Sequence, residues 1–287
     1  MKRYRVVTGD TAVVPLVGHP VAQVRTPGPM NRWFAEQQIP AVVVPMDIRP
    51  ERVADFFDVL KAMENCVGCS ITMPHKQAAF LASDEVTERA RHAKSVNIIR
   101  RSPSGRLIGD MTDGLAFVAA LAANSVEVRG RNVLLVGAGA AGTAIAFEVA
   151  QQGARSMTVL EVDQMRRRAL VTALAELFPA MAVAEQVPPG QPIEIAINAS
   201  PVGMGPNDPL PYPVEQLGGA LIVADAVTRP NVTRWLAEAA RRGLKIQTGE
   251  EMALAQLPIQ LPYLRFRPAS PSSGYALADT PAESAGP

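Results

Sequence analysis

A glycine-rich turn in the middle of the chain limits most strongly what this sequence can fold into. The run Asn132–Val136 predicts a buried strand, and a predicted helix runs from the turn to about residue 152. Between them lies a GxGxxG motif, which permits a tight turn, close approach of backbone to a pyrophosphate, and close packing of helix on strand. Because the motif follows a strand and opens a helix, it predicts a Rossmann dinucleotide-binding domain. The residues expected at the phosphates are Gly137, Gly139, Ala140, Ala141 and Gly142.

The next predicted strand bears on the choice of dinucleotide. It ends in Glu161, about 20 residues beyond the glycines, where a carboxylate is expected to meet the adenosine ribose. A carboxylate accepts hydrogen bonds from the ribose hydroxyls of NAD and repels the 2′-phosphate of NADP, so we expect NAD to be favoured over NADP. Arg166 keeps NADP open, because a guanidinium could pair with that phosphate. Asp163 is the other residue expected at this end of the cofactor.

The rest of the chain alternates short apolar runs with amphipathic segments. Strands are predicted at residues 12–17, 41–46 and 67–72, and helices at residues 27–38 and 51–64. This alternation is typical of an α/β protein with a mainly parallel sheet. A chain of 287 residues is long enough for two such units. We therefore expect two lobes, an N-terminal α/β substrate-binding domain and the Rossmann domain.

Charge, hydropathy and cysteine content exclude several classes of partner. The formal net charge is +1, and no basic stripe predicts binding to nucleic acid or to an anionic membrane. No apolar run approaches the roughly 20 residues that span a bilayer, so we expect a cytoplasmic protein. Cys66 and Cys69 form a lone CxxC, which we interpret as reduced packing residues rather than a redox or metal site. No metal is expected, and monomer and homodimer both stay open.

One lysine occupies a position at which it does not stabilise its helix. Lys76 falls in the first turn of a predicted helix after Pro74, and a cation is unfavourable near a helix N-terminus. Hydride transfer between an alcohol and a nicotinamide needs a side chain that moves the hydroxyl proton. Lys76 is therefore a candidate for that role.

Seven separated segments along the chain carry a recognisable pattern. The segments are Gly18-His-Pro-Val-Ala-Gln-Val-Arg-Thr-Pro27, Ser70-Ile-Thr-Met-Pro-His-Lys76, Ser95-Val-Asn97, Gly109-Asp-Met-Thr-Asp-Gly114, Asn198-Ala-Ser-Pro-Val-Gly-Met204, Asp225-Ala-Val227 and Gly249-Glu-Glu-Met-Ala-Leu-Ala-Gln256. In order and spacing, from about residue 12 to residue 256, the chain resembles the shikimate and quinate dehydrogenase family. The resemblance implies two lobes facing each other across a cleft, and reversible hydride transfer between a nicotinamide and a ring hydroxyl of a cyclic hydroxy acid.

The resemblance also implies roles for individual residues. Lys76 and Asp113 match the family's catalytic pair, in which the lysine takes the proton and the aspartate holds both the lysine and a ring hydroxyl. Substrate contacts are implied at Thr26, Thr72, Asn97 and Gln256. Cofactor contacts are implied at Ser200, Met204 and Gly249.

Several departures from the family pattern accompany these matches. The family has two serines that grip the substrate carboxylate, and this chain has Val24 and Thr26 instead, with Arg25 between them expected to be exposed. Further departures stand at Ser70, Ile98, Met111 and Thr228. Because we expect these changes to surround the substrate, we hypothesise an enzyme weak on shikimate and better on quinate or another cyclic hydroxy acid. The alternative is a catalytically weak paralogue that serves as a nucleotide-binding sensor or regulator.

The resemblance and the composition together predict domain boundaries. We assign residues 1–112 plus about 249–267 to the substrate-binding domain and residues 113–248 to the Rossmann domain. Pro258 and Pro262 are expected to interrupt any helix after Gln256. Residues 268–287 are poor in groups to bury and are expected to form a disordered tail.

Overall fold

The computed structural model describes residues 7–268, so the predicted tail beyond residue 268 lies outside the described residues. The N-terminal part of the chain forms a mixed six-stranded sheet in the order β2-β1-β3-β5-β6-β4. Strand β5 runs antiparallel to both of its neighbours, and the other pairs are parallel. The strands are β1 (Ala12–Gly18), β2 (Ala41–Asp47), β3 (Gly68–Ile71), β4 (Glu85–Val86), β5 (Ile98–Arg101) and β6 (Leu107–Asp110).

Four helices accompany this first sheet. Their apolar faces form the surrounding core, to which α1 contributes Met30 and Phe34 and α2 contributes Phe57 and Leu60. The helices are α1 (Pro27–Glu36), α2 (Val53–Ala62), α3 (Lys76–Ala82) and α4 (Glu88–Ala93).

The second sheet is wholly parallel, in the order β12-β11-β10-β7-β8-β9. Its strands are almost continuous apolar runs, as expected of strands covered on both faces. They are β7 (Asn132–Val136), β8 (Ser156–Leu160), β9 (Ala182–Ala184), β10 (Ile195–Asn198), β11 (Ile222–Asp225) and β12 (Ile246–Gln247). The strand order reverses between β7 and β10, and ligands bind at such a switch point in open α/β sheets.

The helices of the second half begin with α5, which leads from the first sheet to the second. The remaining helices pack beside the second sheet or lead back toward the first. They are α5 (Asp113–Ala123), α6 (Ala140–Gln151), α7 (Gln164–Leu177), α8 (Arg234–Arg241), α9 (Gly249–Ala255) and α10 (Leu257–Tyr263). The prediction of a two-lobed α/β protein is confirmed, and the boundaries of the two domains stay a prediction.

Helix α10 contradicts the expectation that prolines would end helical structure after Gln256. Pro258 lies in the first turn, where its missing N–H needs no partner. Pro262 removes one backbone hydrogen bond, but Leu261 and Leu264 on the same segment are buried in the core of the first lobe. Burial of this apolar face outweighs the local preference against proline, because packing supplies most of the stability of short helices.

The two cysteines are free and buried, as predicted for packing residues. Burial raises the pKa of both thiols, and most strongly that of Cys69. The reactive thiolate form is therefore disfavoured. Within residues 7–268, no helix is long and apolar enough to cross a membrane.

Candidate active site

A cleft of about 810 Å³ lies between the carboxyl ends of the two sheets. On one side it is lined by the ends of β1 and β3 and by the residues that open α3 and α5. On the other side it is lined by the glycine-rich turn after β7 and the loops after β8, β10 and β11. The cleft therefore reaches the switch point of the parallel sheet.

An ion pair lies inside this cleft. Lys76 Nζ donates a hydrogen bond to Asp113 Oδ2, and the two side chains are 15% and 3% exposed, respectively. Lys76 opens α3 and Asp113 opens α5. The aspartate is favoured by the positive end of its own helix, whereas the lysine is not. The pairing with Asp113 therefore offsets an unfavourable position for the lysine.

Two amide side chains bind the other carboxylate oxygen. Asn97 Nδ2 donates to Asp113 Oδ1 at 2.7 Å, and Gln256 Nε2 donates to the same oxygen at 3.0 Å. Both residues line the cleft. Asp113 thus has every carboxylate oxygen hydrogen-bonded, which offsets the cost of burying its charge.

Thr72 and Thr26 complete the set of predicted substrate-binding residues. Both line the cleft. Thr26 is the N-cap residue of α1, yet its side chain makes no capping bond. Its hydroxyl therefore remains available to a ligand.

The departures from the family pattern divide into two groups. Val24, Ser70 and Thr228 line the cleft, and so does the exposed Arg25. Ile98 and Met111, by contrast, are fully buried in the core clusters of the first lobe. The expectation that all the departures ring the substrate is therefore wrong for these two, which serve as packing.

The glycine-rich turn has the geometry that a phosphate group requires. Gly137 has a φ of +101°, and a Cβ there would lie 2.7 Å from the backbone N of Ser200. A Cβ on Gly142 would lie 2.1 Å from the carbonyl oxygen of Gly137, so only glycine allows the helix to start so close to the turn. Gly139 lines the cleft, and a Cβ there would meet no atom within 4 Å. Open space therefore faces the N-terminus of α6, where N–H groups favour an anion.

The far end of the cleft is lined by charged residues. Glu161 Oε2 accepts a hydrogen bond from Ala138 N at 2.7 Å, and its Oε1 accepts one from Asp163 N at 3.0 Å. Arg166 also lines the cleft and is largely exposed. Asp163 is not among the cleft residues: its carboxylate caps α7 by accepting from Met165 N and Arg166 N.

The loops after β10 and β11 are held by a buried aspartate. Asp225 accepts hydrogen bonds from Asn198 Nδ2, Val227 N and Thr233 Oγ1, at 2.8–3.0 Å. Burial raises the pKa of Asp225 to about 6, against the lowering effect of these donors. Asn198 in turn accepts from the Ser200 hydroxyl at 2.7 Å. Asp225 therefore positions the loop that carries Ser200 into the cleft.

Met204 and Gly249 also lie in the cleft wall, and their contact with the cofactor stays a prediction. Met204 is 40% exposed. A Cβ on Gly249 would lie 2.3 Å from the carbonyl oxygen of Val227, so the start of α9 can approach this loop only through glycine.

Sequence reasoning missed one buried polar residue of the cleft, Gln260. It is 1% exposed and follows Gln256 by one helical turn. That spacing was the available signal, and it was hidden because the prolines argued against a helix.

A parallel dinucleotide-binding sheet that faces a buried lysine–aspartate pair across a cleft defines the class of two-lobed, nicotinamide-dependent oxidoreductases. Residues 16–99 match the family described as the shikimate dehydrogenase substrate binding domain. Shikimate dehydrogenase (NADP(+)) of Rubrobacter xylanophilus is 35% identical over 257 residues, which is 87% of this chain and 89% of that protein. The chain belongs to the shikimate dehydrogenase family, whose members act on a CH–OH group with NAD(P).

Two solved structures are similar over almost the whole chain. A shikimate dehydrogenase in complex with NADP+ has a TM-score of 0.81 and 28% identity, covering 90% of this chain and 91% of that one. A 5-ketofructose reductase of Gluconobacter sp. strain CHM43, in ligand-free form, has a TM-score of 0.79 and 28% identity, covering 91% and 95%.

These relatives correct the predicted cofactor preference. The expectation that NAD is favoured over NADP is wrong, because the relative from Rubrobacter is named for NADP+ and the similar dehydrogenase structure holds NADP+. The physical reason lies in Glu161, whose two carboxylate oxygens accept from backbone N–H groups. Its charge is therefore partly neutralised by its own loop, and Arg166 faces the same end of the cleft.

Proposed function

We propose that this protein catalyses reversible hydride transfer between NADP and a ring hydroxyl of a cyclic polyhydroxy acid of the shikimate and quinate class. The observation that carries the proposal is the buried Asp113, bonded by Lys76 on one oxygen and by Asn97 and Gln256 on the other. This group of donors faces the dinucleotide turn across the cleft.

Lys76 moves the proton in this proposal. When the ketone is reduced, hydride is added to its carbon and the Lys76 ammonium gives a proton to its oxygen; when the alcohol is oxidised, hydride leaves the carbon and Lys76, as the neutral amine, takes the proton from the oxygen. Asp113 holds Lys76 Nζ in place, because the two side chains form an ion pair inside the cleft. The bound nicotinamide supplies or accepts the hydride.

The amides fix the orientation of the ring. Each side-chain NH₂ group of Asn97 and Gln256 has two hydrogens, and Asp113 accepts only one from each. The second hydrogen of each amide is free to bind a ring hydroxyl, and Thr72 adds a hydroxyl in the same wall. Several donors placed around one ring discriminate strongly among its hydroxyl patterns.

The substrate carboxylate is assigned to the wall that carries Val24 and Thr26. Thr26 offers one uncommitted hydroxyl, and Val24 offers only hydrocarbon. We therefore propose that this site binds the substrate carboxylate more weakly than a site with two hydroxyls would.

Backbone and small residues hold the cofactor in this proposal. Gly137, Gly139, Ala140 and Ala141 receive the pyrophosphate, and Arg166 receives the 2′-phosphate. Ser200, Met204 and Gly249 form the wall that continues from there into the cleft. We also propose that the enzyme works in the cytoplasm, and its two free cysteines are consistent with a reducing compartment.

The test is steady-state turnover of shikimate and quinate with NADP, and of 5-ketofructose with NADPH, by the purified protein. We expect at least one cyclic acid to react, with a KM in the usual range of about 1 μM to 1 mM. Turnover of the neutral ketose alone would overturn the assignment to cyclic acids. NADPH binding without any turnover would favour the alternative that the protein is a nucleotide-binding sensor or regulator.

A further inference from the structure

Gln260 forms a buried bridge behind the two amides of the active site. It lies in the middle of α10 and is 1% exposed. Its Nε2 donates to Gln256 Oε1 at 2.7 Å and to Thr112 Oγ1 at 3.4 Å. Its Oε1 accepts from Ser70 Oγ at 3.3 Å. Both polar atoms of Gln260 are therefore engaged.

The bonding pattern fixes which end of Gln256 faces the ion pair. Asp113 Oδ1 accepts from both Asn97 Nδ2 and Gln256 Nε2, so Gln256 presents its NH₂ group to this oxygen. Gln256 Oε1 then points away from Asp113, and the NH₂ group of Gln260 meets it there. A flipped Gln256 would place its carbonyl against the carboxylate and its NH₂ against that of Gln260.

Asn97 is held in the same sense, but by two independent donors. Its Oδ1 accepts from Thr112 N at 2.8 Å and from Thr112 Oγ1 at 3.1 Å. The backbone N–H alone is enough to set this amide, because it can only donate. Gln260 therefore matters for Asn97 only through the Thr112 hydroxyl, whereas no hydrogen bond among residues 7–268 other than that from Gln260 reaches Gln256 Oε1.

We propose that Gln260 is a positioning residue that fixes the amide of Gln256, so that Gln256 offers N–H groups to both Asp113 and the substrate. Ser70 completes the arrangement, because its hydroxyl occupies the acceptor end of Gln260 and leaves the NH₂ end for Gln256. The departure from the family pattern at Ser70 thus acquires a role in substrate recognition. This inference rests on the proposed function, since the substrate hydroxyl is the partner that Gln256 is set to bind.

The matched variants are Gln260→Met and Gln191→Met. Methionine keeps the volume and removes both hydrogen-bonding ends. Gln191 is a partly buried glutamine whose Nε2 donates to Ser156 Oγ at 2.6 Å, at the amino end of β8 and away from the cleft. It therefore controls for the loss of a glutamine–hydroxyl bond.

Gln260→Met should raise KM for the cyclic acid about tenfold, because Gln256 loses its fixed orientation and with it about one hydrogen bond to the substrate. The KM for NADP should stay within about twofold and kcat within about threefold, whereas Gln191→Met should change none of the three. A purely structural role would instead disturb the KM for NADP and kcat together with the KM for the acid. That result, or an unchanged KM for the acid, would overturn the proposal.

A double variant tests whether Gln260 acts through Gln256. In the background of Gln256→Ala, the change Gln260→Met should alter the KM for the acid by less than about twofold, because the amide that it positions is absent. Full additivity of the two changes would contradict the proposal. If Gln260→Met does not fold, Gln260→Leu takes its place, since leucine also lacks both hydrogen-bonding ends and adds no charge.

A second readout does not depend on turnover. The side-chain ¹⁵NH₂ signal of Gln256, assigned by its loss in Gln256→Ala, should shift in Gln260→Met and stay in place in Gln191→Met. If the wild type turns over no cyclic acid and the signal still shifts, the proposed function fails and the positioning role stands. If the acid is turned over and neither KM nor the signal changes, only the positioning role fails.

Discussion

Lys76 and Asp113 form an ion pair between the first residues of two helices, and the acid is the more deeply buried partner. The Asp113 side chain is 3% exposed, and amides bind its second carboxylate oxygen. Lys76 is the more exposed partner, at 15%, and both side chains line the cleft. We therefore propose that the lysine exchanges protons with a ligand and that the aspartate is its fixed counter-charge.

Lys76→Ala should lower kcat by at least about a hundredfold, the usual scale of acid–base catalysis. NADPH binding should change by less than about threefold, because no part of the glycine-rich turn is altered. The measurement is the steady-state rate together with a fluorescence titration of NADPH. Lys61→Ala is the control, since Lys61 pairs with Asp84 at the surface of the same lobe. Near wild-type kcat in Lys76→Ala would remove the proton-transfer role.

Local features of the fold could be predicted from the sequence because their causes are local. The start of the helix after the turn depends on Gly142, because a Cβ there would lie 2.1 Å from the carbonyl oxygen of Gly137, a few residues earlier in the chain. The contact between Gln256 and Asp113 joins residues far apart in the chain, and only the resemblance to a family indicated it. Spacing alone carries no information about such a pair.

The incorrect expectations share a physical origin. The charge of Glu161 indicated NAD, but the sequence could not reveal that backbone N–H groups bind both of its oxygens. Pro262 argued against a helix, but the burial of neighbouring Leu261 was not visible in the local pattern. In both cases a tertiary or backbone contact reversed an inference drawn from a single side chain.

Arg166→Ala should raise the KM for NADP by about tenfold to a hundredfold and leave the KM for NAD within about twofold. The reason is the loss of a charge-assisted hydrogen bond to the 2′-phosphate, worth about 1.5–3 kcal/mol. Arg168→Ala is the matched control, because Arg168 belongs to the same run of arginines but does not line the cleft. Equal losses for the two cofactors would mean that Arg166 does not contact the 2′-phosphate.

Asp225 should make the free energy of unfolding depend on pH. Its pKa is about 6 in the folded protein and near 3.8 when the chain is unfolded, so between these values the folded state binds the extra proton. Stability from this group is therefore greatest below about pH 4 and falls as pH rises to about 6, by roughly 3 kcal/mol. Asp225→Asn should remove this slope. The pH dependence of the free energy of unfolding can be measured by urea titrations between about pH 4 and pH 6, followed by the fluorescence of the buried Trp235.

Asp208→Asn provides a control, because the contribution of Asp208 to the free energy of unfolding changes with pH in the opposite direction. Backbone N–H groups of Gly205 and Gly203 lower the pKa of the half-buried Asp208. The contribution of Asp208 to stability is therefore present above its unfolded pKa and lost as pH falls, the reverse of the trend for Asp225. A wild-type slope that survives unchanged in Asp225→Asn would assign the pH dependence to other groups.

Val24→Ser should lower the KM for cyclic acids by about tenfold or more. The new hydroxyl would stand beside Thr26 in the cleft wall and donate a second hydrogen bond to the substrate carboxylate. The KM for the neutral 5-ketofructose should not fall, because it has no carboxylate to receive that bond. Val21→Ser is the control, since Val21 belongs to the same loop but does not line the cleft.

The same experiment, combined with Arg25→Ala, can show whether the substrate carboxylate binds to Arg25 instead. Arg25 is exposed and lines the cleft next to Val24, so its guanidinium could bind an acid at this wall. If Val24→Ser leaves the KM for acids unchanged and Arg25→Ala raises it about tenfold, the carboxylate is held by the guanidinium rather than by hydroxyls. Valine at position 24, where the family has a serine, would then go with a different mode of acid binding. Selectivity for acids over the neutral ketose should in that case fall at high salt, because salt screens an exposed ion pair.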